Sequence, residues 1–546
     1  MKTRKILCTL LALMTAASLA ACGSGSGTTS TSGSGSTDSG KTTSTAGSGE
    51  TASSSDSGQT TFRVAICRWA ESWGLDYSQT ALLKEFSETT GATIEWDTYY
   101  YADWAEQKSL LLAGGDLPDA FFGSIALTDT DIAQNKPNLY ELTDLIAENM
   151  PNLSKILADD PTMKALCTDP NGEIYSLPKK LPLRPICAAQ LYVNTDFLDA
   201  LGMDMPDTYE DLAEYMIAVG TQDPDGNGEN DTYGQIRSAN LQDDLNNLLV
   251  SFGVQVSRAG NYMSVDKDGN PYFVPTSEKY KEAVKWANYL YQNGALDPER
   301  FTMDSSMATA KIQANGGSKA GLLWQWSRDA ETGPNAAQFQ LCQAVKGPDG
   351  ERYVESDPTY LNYGRNELEI TKTCTNPALL LQWADLFYTD LASLQTYYGS
   401  IGDGKITDNG DGTYELLVPS DGMSLDTSCW TYSFRDHGPK YMSVDFESKI
   451  TLPTDQGDGA KLLDNEVDKN NAHDTFPVCY YTDQQLNDLA LLTTDIYNSA
   501  KATYADWVVN GGIDEGWDAY IEQLNAMGLE QVVQIQTDAY NTYMGK

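Results

Sequence analysis

Strand and helix patterns alternate along the part of the chain that begins near Phe62. Phe62, Val64 and Ile66 alternate with polar or small residues, which is the period-two pattern of a β-strand. Further segments continue the series: a helix from Ala81 that ends at Gly91, a strand at 93–96, a helix at 104–113 and an apolar strand at 120–122. This β-α-β-α-β order favours a mostly parallel sheet with helices on both faces.

Later segments add helices and hairpins to this plan. Trp517, Tyr520 and Leu524 share one helical face, and Gly528 stands where a helix commonly ends. Pro377 similarly opens an apolar helical pattern. Asp-Gly and Asn-Gly pairs are typical of hairpin turns, and they occur at 268–269, 349–350 and 409–412. We therefore expect an α/β fold with added β-hairpins, divided into more than one lobe.

The first residues have the anatomy of a secretory signal. Basic residues precede an apolar stretch from Ile6 to Leu19, which is too short to span a membrane comfortably. The stretch that ends in Leu-Ala-Ala and Cys22 resembles the lipobox of bacterial lipoproteins. This resemblance implies that residues 1–21 are a signal peptide and that Cys22 becomes a diacylated N-terminus. An ordinary signal peptide with a chance cysteine is the alternative.

Residues 22–61 are expected to form a flexible tether. Beyond Cys22 this segment is almost wholly Gly, Ser and Thr with scattered charges, and such a composition buries too little apolar surface to fold. Two acyl chains anchor a protein stably, because each buried methylene adds about 0.8 kcal/mol. We therefore expect a folded body that is lipid-anchored at the extracytoplasmic face of the cell membrane.

Charge and residue counts exclude several functions. The 546-residue chain carries 77 acidic and 36 basic side chains, and its net charge of −41 argues against nucleic acid as a partner. Only two histidines occur, so a multi-histidine metal site is impossible. The cysteines beyond Cys22 are odd in number and widely spaced, and the sequence leaves their pairing open. We expect no organic cofactor.

Several segments, taken in order, resemble one family. They lie at 112–119, 174–178, 192–202, 223–234, 517–520 and 527–529. Their order and spacing are similar to those of bacterial extracellular solute-binding proteins of family 1, the lipoprotein receptors of ABC importers. The resemblance implies a monomer with two discontinuous, periplasmic-binding-protein-like α/β lobes, which close like a hinge over a ligand, and a permease as partner. The expected lobes are 62–185 with about 315–375, and about 186–314 with 376–546.

The sharpest local motif is the acidic loop at 223–231. Oxygen-bearing side chains recur there with the spacing that opens an EF-hand loop, and Gly228 stands at its sharp turn. Gly234 replaces the bidentate Glu of an EF-hand, and in similar solute-binding proteins a Glu stands where this chain has Thr232. The motif predicts a structural calcium site, with an acidic turn without metal as the alternative. The predicted ligands are Asp223, Asp225, Asn227, Glu229 and Asp231.

The predicted ligand site rests on aromatic side chains. Trp and Tyr faces pack against the apolar faces of sugar rings, whereas Arg and Asn side chains hydrogen-bond to the hydroxyls. Several aromatic residues follow predicted strands, where ligand sites of α/β proteins form, and packing in a core is the alternative for each. Trp383 and Trp517, on apolar helical faces, are expected in a core. The predicted ligand residues are Trp69, Trp73, Tyr100, Arg184, Trp324, Trp326, Asn362 and Trp430.

These features favour a receptor over an enzyme. We expect a tethered protein that captures a carbohydrate, an oligosaccharide in the first place, and delivers it to an ABC permease; a peptide or another polar solute is the alternative ligand. An anchored glycoside hydrolase or lyase needs two carboxyls about 5 Å or about 6.5–9.5 Å apart, and the sequence singles out no such pair. A sensor or adhesin would bind the same ligand without an importer.

Overall fold

Two central sheets organise the described part of the chain, which in this computed structural model comprises residues 59–69, 76–356, 362–420, 422–473 and 475–545. The strands in chain order are β1 (Thr61–Arg68), β2 (Thr93–Tyr100), β3 (Ala120–Phe122), β4 (Lys179–Lys180), β5 (Gln190–Asn194), β6 (Tyr233–Gln235), β7 (Met263–Val265), β8 (Pro271–Phe273), β9 (Ala320–Gln325), β10 (Phe339–Cys342), β11 (Tyr363–Gly364), β12 (Leu368–Ile370), β13 (Ile406–Asp408), β14 (Tyr414–Leu416) and β15 (Ile450–Thr451).

Helices surround these strands. In chain order they are α1 (Ala81–Thr90), α2 (Tyr101–Gly114), α3 (Asp129–Asn135), α4 (Thr143–Asn149), α5 (Pro151–Asp159), α6 (Pro161–Cys167), α7 (Thr195–Leu201), α8 (Tyr209–Thr221), α9 (Leu241–Asn246), α10 (Glu278–Gln292), α11 (Ser305–Ile312), α12 (Pro377–Asp385), α13 (Asp390–Tyr398), α14 (Leu425–Tyr432), α15 (Val444–Glu447), α16 (Gly457–Asn465), α17 (Asp483–Asn510), α18 (Ile513–Ala526) and α19 (Leu529–Tyr543).

The first sheet has the strand order β12-β3-β1-β2, and β1 runs parallel to both β2 and β3. This arrangement confirms the parallel β-α-β-α-β pattern of the sequence. Gly91 ends α1 in the left-handed conformation with φ 77°, which glycine adopts without a steric penalty. Phe62, Phe122 and Trp383 lie in the core of this sheet, so Trp383 is a core residue as predicted.

The second sheet has the strand order β10-β5-β9-β6. β5 pairs antiparallel with β10 and β9, whereas β6 runs parallel to β9. The core of this sheet includes side chains from the three C-terminal helices, among them Val508, Trp517 and Leu524. Trp517 is therefore in a core, as its helical spacing predicted.

The division between the two sheets differs from the expected lobe boundaries. The sequence placed 315–375 with the first sheet, but β9 and β10 pair with β5 in the second sheet. The sequence placed 376–546 with the second lobe, but Leu380 and Phe387 pack in the core of the first sheet. Strand pairing joins residues far apart in the chain, and local patterns do not encode which sheet a strand enters.

The predicted hairpins are present on the periphery. β7 and β8 pair antiparallel across the turn at 268–269, and β13 and β14 pair across the turn at 409–412. Residues 349–350 also form a turn, in which the Gly350 N–H donates to the Gly347 carbonyl at 2.9 Å. These outcomes confirm that the Asp-Gly and Asn-Gly pairs mark turns.

The cysteines of the described residues are all free thiols in buried positions. Burial raises the pKa of Cys167 and of Cys429 to about 12, which keeps both in the unreactive thiol form. These cysteines therefore act as small core side chains. Cys22, the predicted lipidation site, lies outside the described residues. Within the described ranges, no helix combines the length and apolar character that a membrane span requires.

Candidate functional site

Trp69 and Trp430 each pack near His437. Trp69 directly follows β1, and Trp430 lies near the C-terminal end of α14. The ring centroids of Trp69 and His437 are 6.1 Å apart, and those of Trp430 and His437 are 6.0 Å apart. Tyr101, at the start of α2, packs on Trp69 with a centroid separation of 4.7 Å. Trp69 is 43% exposed, so much of its ring is accessible to a ligand.

Buried charges fix the backbone that carries His437. The Lys179 ammonium lies 2.8 Å from the Glu367 carboxylate, which also accepts the Gly438 N–H at 2.8 Å. The Lys440 ammonium donates to the carbonyls of His437 and Gly438 at 2.6 and 2.9 Å. Burial, together with the nearby Lys179, lowers the pKa of Lys440 to about 7. The segment around His437 is thus held by its own Lys440 and by Glu367, which pairs with Lys179.

His437 offers unused hydrogen-bonding groups. Its side chain is 2% exposed, and neither ring nitrogen has a hydrogen-bond partner among the described residues. Burial, reinforced by the positive charge of Lys179, lowers the pKa of His437 to about 3. The imidazole is therefore neutral near pH 7, with one donor and one acceptor nitrogen. A buried polar group without a partner costs about 1–3 kcal/mol, which a ligand hydroxyl could recover.

Asp436 adds a carboxylate beside this imidazole. Its Oδ1 is buried and has no hydrogen-bond partner in the described part of the chain. Burial acts to raise the pKa of Asp436, but the charges of Arg184 and Arg435 outweigh it and hold the pKa below its ordinary value. The Arg435 guanidinium is itself fixed, because it donates to Asp458 at 2.8 Å. Asp436 is therefore ionised and presents an acceptor.

A second group of side chains surrounds Trp326, the residue that directly follows β9. The Arg184 guanidinium carbon lies 4.9 Å from the Trp326 ring centroid, and the Lys461 ammonium lies 4.9 Å from the same centroid. Arg184 also donates to the Tyr397 hydroxyl at 2.5 Å. Arg184 thereby joins Trp326, which follows a strand of the second sheet, to Tyr397 of α13. We name the following set the aromatic site: Trp69, Arg184, Trp326, Trp430, Asp436 and His437.

Several predicted ligand residues lie in the aromatic site. They are Trp69, Arg184, Trp326 and Trp430, and their part in ligand binding stays a prediction. Trp430 lies in the helix α14.

Trp324 does not lie in the aromatic site. Its side chain is 7% exposed and packs in the core of the second sheet. β9 lies between β5 and β6, and every residue of this strand is buried. Trp326 is only partly buried, because it follows the last paired residue of the strand. The part of Trp324 in ligand binding stays a prediction.

The remaining predicted ligand residues have other positions. Tyr100 ends β2, and its neighbour Tyr101 makes the contact with Trp69. The Asn362 carbonyl accepts the Leu181 N–H at 2.7 Å, which places Asn362 beside β4. Trp73 lies outside the described residues.

Sequence reasoning missed several members of this region. Tyr101, Tyr397, Asp436, His437 and Lys461 contact or adjoin the aromatic site. The available signal was the run of polar residues at 435–437 that closely follows Trp430. Local patterns could not predict that this run of residues is buried next to the rings of Trp69 and Trp430.

The predicted calcium ligands of the acidic loop at 223–231 do not converge on one position. The carboxylates of Asp225 and Asp231 both bond to the ammonium of Lys319. Among the described residues, no group of three or more acidic, histidine or cysteine side chains is arranged to hold a metal ion. These residues as arranged do not fit calcium, which needs six to eight oxygens. The calcium ion itself stays a prediction.

The fold and the site together define a class of ligand-binding α/β protein. Residues 75–392, more than half of the chain, match the model of the bacterial extracellular solute-binding protein family. The chain therefore belongs to the bacterial extracellular solute-binding proteins, which are receptors and not enzymes. Membership of this family indicates that the protein acts outside the cytoplasm.

Relatives of known structure extend over nearly the whole chain. The fructooligosaccharide ABC transporter substrate-binding protein FusA of Streptococcus pneumoniae is 29% identical over 486 residues, which cover 86% of this chain and 88% of FusA. The structure of FusA in complex with kestose has a TM-score of 0.76 at 27% identity and covers 89% of this chain and 99% of that chain. A FusA EF-hand mutant in complex with fructo-nystose has the same TM-score of 0.76 at 28% identity, with the same coverage.

Acid should destabilise the protein through His437. The pKa of this side chain is about 3 in the folded protein but about 6.5 when unfolded, so unfolding takes up a proton between these pH values. The free energy of unfolding therefore falls as pH drops from about 6.5 towards 3, by up to about 1.4 kcal/mol per pH unit from this group. Denaturant titrations of the wild type and of His437→Gln between pH 5 and 7 measure the difference in slope.

The matched control is His473→Gln, which removes the exposed histidine. It should retain the pH dependence of the wild type, whereas His437→Gln should flatten it. Equal slopes for all three proteins would contradict the assignment to His437.

Proposed function

We propose that this protein captures an oligosaccharide at the aromatic site and delivers it to an ABC permease. The observation that carries the proposal is a neutral, buried imidazole close to two tryptophan rings, whose nitrogens have no hydrogen-bond partner among the described residues. An uncharged sugar supplies the hydrogen-bonding groups that the imidazole nitrogens lack and an apolar face for the tryptophan rings. Its hydroxyls can bond to His437, and its C–H faces can pack on Trp69 and Trp430.

The charged members of the site suit a hydroxyl-rich ligand. Asp436 is an ionised acceptor with a buried oxygen lacking a hydrogen-bond partner among the described residues, and charge-assisted bonds to such groups are strong. Arg184 and Lys461 both approach Trp326, whose ring adds a further packing surface for a second sugar unit. FusA, a relative across nearly the whole chain, is named for fructooligosaccharides, which supports the same ligand class here.

The proposal includes a place and a mode of action. Cys22 carries the lipid anchor, and the Gly/Ser/Thr-rich segment tethers the body to the extracytoplasmic face of the membrane. The protein acts as a monomer. Its two lobes close over the ligand, because the aromatic site includes residues that follow strands of both sheets. Its partner is the permease of an ABC importer. No calcium ion enters this proposal, because Lys319 already pairs with two loop carboxylates.

A thermal-shift screen tests the proposed ligand class. The purified protein is melted with kestose, nystose, other oligosaccharides, monosaccharides and short peptides. A ligand at a hundred times its Kd adds about 2.7 kcal/mol to the stability of the bound protein, so a fitting oligosaccharide should raise the Tm clearly. Chromatography of the same samples should show unchanged sugar.

Two results would overturn parts of this proposal. A Tm rise with peptides and none with sugars would refute the carbohydrate assignment. Release of shorter sugars would identify a hydrolase instead of a receptor.

A further inference from the structure

The acidic loop lies against the start of a neighbouring strand. It connects α8 to β6, and β6 runs parallel to β9. Tyr233, the first residue of β6, donates its N–H to the Lys319 carbonyl at 3.0 Å. Lys319 immediately precedes β9, so the backbone pairing itself brings this lysine beside the end of the loop.

The Lys319 side chain bridges the two ends of the loop. Its ammonium lies 2.6 Å from Asp225 Oδ2 and 3.0 Å from Asp231 Oδ2. The lysine side chain is 21% exposed, and those of Asp225 and Asp231 are 20% and 40% exposed. The Asn227 amide also donates to both carboxylates, at 3.0 and 3.2 Å. The two carboxylates thus share a cation and a neutral donor.

The other loop groups form bonds within the loop or to α8. Asp223 Oδ2 accepts the Gly228 N–H at 3.0 Å, and Asn227 Oδ1 accepts the Glu229 N–H at 2.6 Å. The buried Thr232 hydroxyl donates to the Val219 carbonyl of α8 at 2.8 Å. Asp223 Oδ1 is buried without a hydrogen bond among the described residues. Most of the oxygens that would bind calcium are therefore already used.

We propose that the Lys319 ammonium takes the place of a metal ion in this loop. Closely spaced carboxylates repel each other, and a cation between them removes that repulsion. An ammonium provides a compact positive charge and three donors, which match the acceptors of Asp225, Asp231 and their surroundings. Calcium and the ammonium would need the same position between the carboxylates. The loop is therefore folded and stable without calcium, independently of the ligand that the protein carries.

The charge states agree with this arrangement. Partial burial acts to lower the pKa of Lys319, but its hydrogen bonds to Asp225 and Asp231 raise it above its ordinary value. Burial acts to raise the pKa of Asp225, but the hydrogen bond from Lys319 lowers it below its ordinary value. The ammonium and the carboxylate each stabilise the charged form of the other.

The effect of calcium on the Tm distinguishes a loop stabilised by Lys319 from a loop stabilised by a metal ion. The wild type should have the same Tm, within about 1 °C, in EDTA and in millimolar calcium chloride. Lys319→Met keeps the apolar stem but removes the charge, so its Tm in EDTA should fall by about 2–4 °C. Calcium chloride should recover part of that loss, because the freed carboxylates and Asp223 Oδ1 can then coordinate an ion.

Lys267→Met is the matched control. Lys267 also lies in an acidic turn and pairs with Asp268, but both side chains are highly exposed. This variant should keep the wild-type Tm and show no response to calcium. Isothermal titration with calcium chloride gives a second readout: we expect no binding to the wild type and measurable binding to Lys319→Met.

Specific outcomes would overturn the proposal. Calcium binding by the wild type, or a Tm loss of the wild type in EDTA, would show that a metal holds the loop. An unchanged Tm of Lys319→Met in EDTA would show that the lysine does not. If Lys319→Met fails to fold, the titration of the wild type still decides. Failure here leaves oligosaccharide binding untouched, which the sugar screen measures separately.

Discussion

The double variant Trp69→Ala, Trp430→Ala should lose oligosaccharide binding by about 100-fold to 1,000-fold. Both rings pack near His437, and in the proposed site each supplies an apolar face to the sugar. Truncation of a central tryptophan in a binding site costs about 2 kcal/mol or more, and two such losses reach this range. Isothermal titration with the sugar that gives the largest thermal shift measures the effect.

Controls separate a lost binding surface from a damaged fold. Tyr289→Ala removes an aromatic side chain that is 53% exposed on α10, and it should leave sugar affinity unchanged. The double variant should still unfold in one cooperative transition, because Trp69 is 43% exposed and Trp430 is only partly buried. Wild-type affinity in the double variant would place the ligand elsewhere.

Asp244→Ala should lower the free energy of unfolding by about 3–5 kcal/mol. The Asp244 carboxylate accepts two bonds from the Arg300 guanidinium, at 2.8 and 2.7 Å, and one from the Tyr504 hydroxyl at 2.7 Å. Asp244 and Arg300 are both almost wholly buried. The variant leaves a buried guanidinium without its counter-charge and the buried Tyr504 hydroxyl of α17 without its acceptor. Guanidinium chloride titration followed by tryptophan fluorescence measures the loss.

Asp159→Ala is the comparison for this prediction. It removes the acidic partner of Lys155 in an exposed i,i+4 pair, and such pairs contribute less than about 1 kcal/mol. Similar unfolding midpoints for Asp244→Ala and Asp159→Ala would refute the importance of the buried pair.

Local sequence patterns predicted the first sheet well. The alternation at 62–66, the helix ended by Gly91 and the apolar strand at 120–122 each recur in the structure because they depend on near neighbours in the chain. The hairpin turns followed from Asp-Gly and Asn-Gly pairs for the same reason. The division between the sheets was not predictable, since β9 pairs with β5, which lies more than a hundred residues earlier, and nothing local marks that choice.

The aromatic site was predictable only by residue type. Tryptophan and arginine suit a sugar, and the sequence offered many of them. Which tryptophan is accessible depends on where a strand ends, and β9 ends between Trp324 and Trp326. The role of His437 depends on its burial and on the absence of hydrogen-bond partners among the described residues, and both are properties of the folded chain. Lys319 was missed because it lies far from the acidic loop in the sequence.

The first sheet receives its edge strand β12 late in the chain, after the whole second sheet. As the polypeptide leaves the ribosome, β3 emerges with an unpaired edge, and Trp383, which covers the same core, follows only later. All strands of the second sheet lie within 190–342, so they are complete before that edge is covered. We therefore expect the newly synthesised chain to expose Phe122 until residue 370 has arrived. Chaperones that protect nascent secreted chains from aggregation therefore have one well-defined apolar edge to shield.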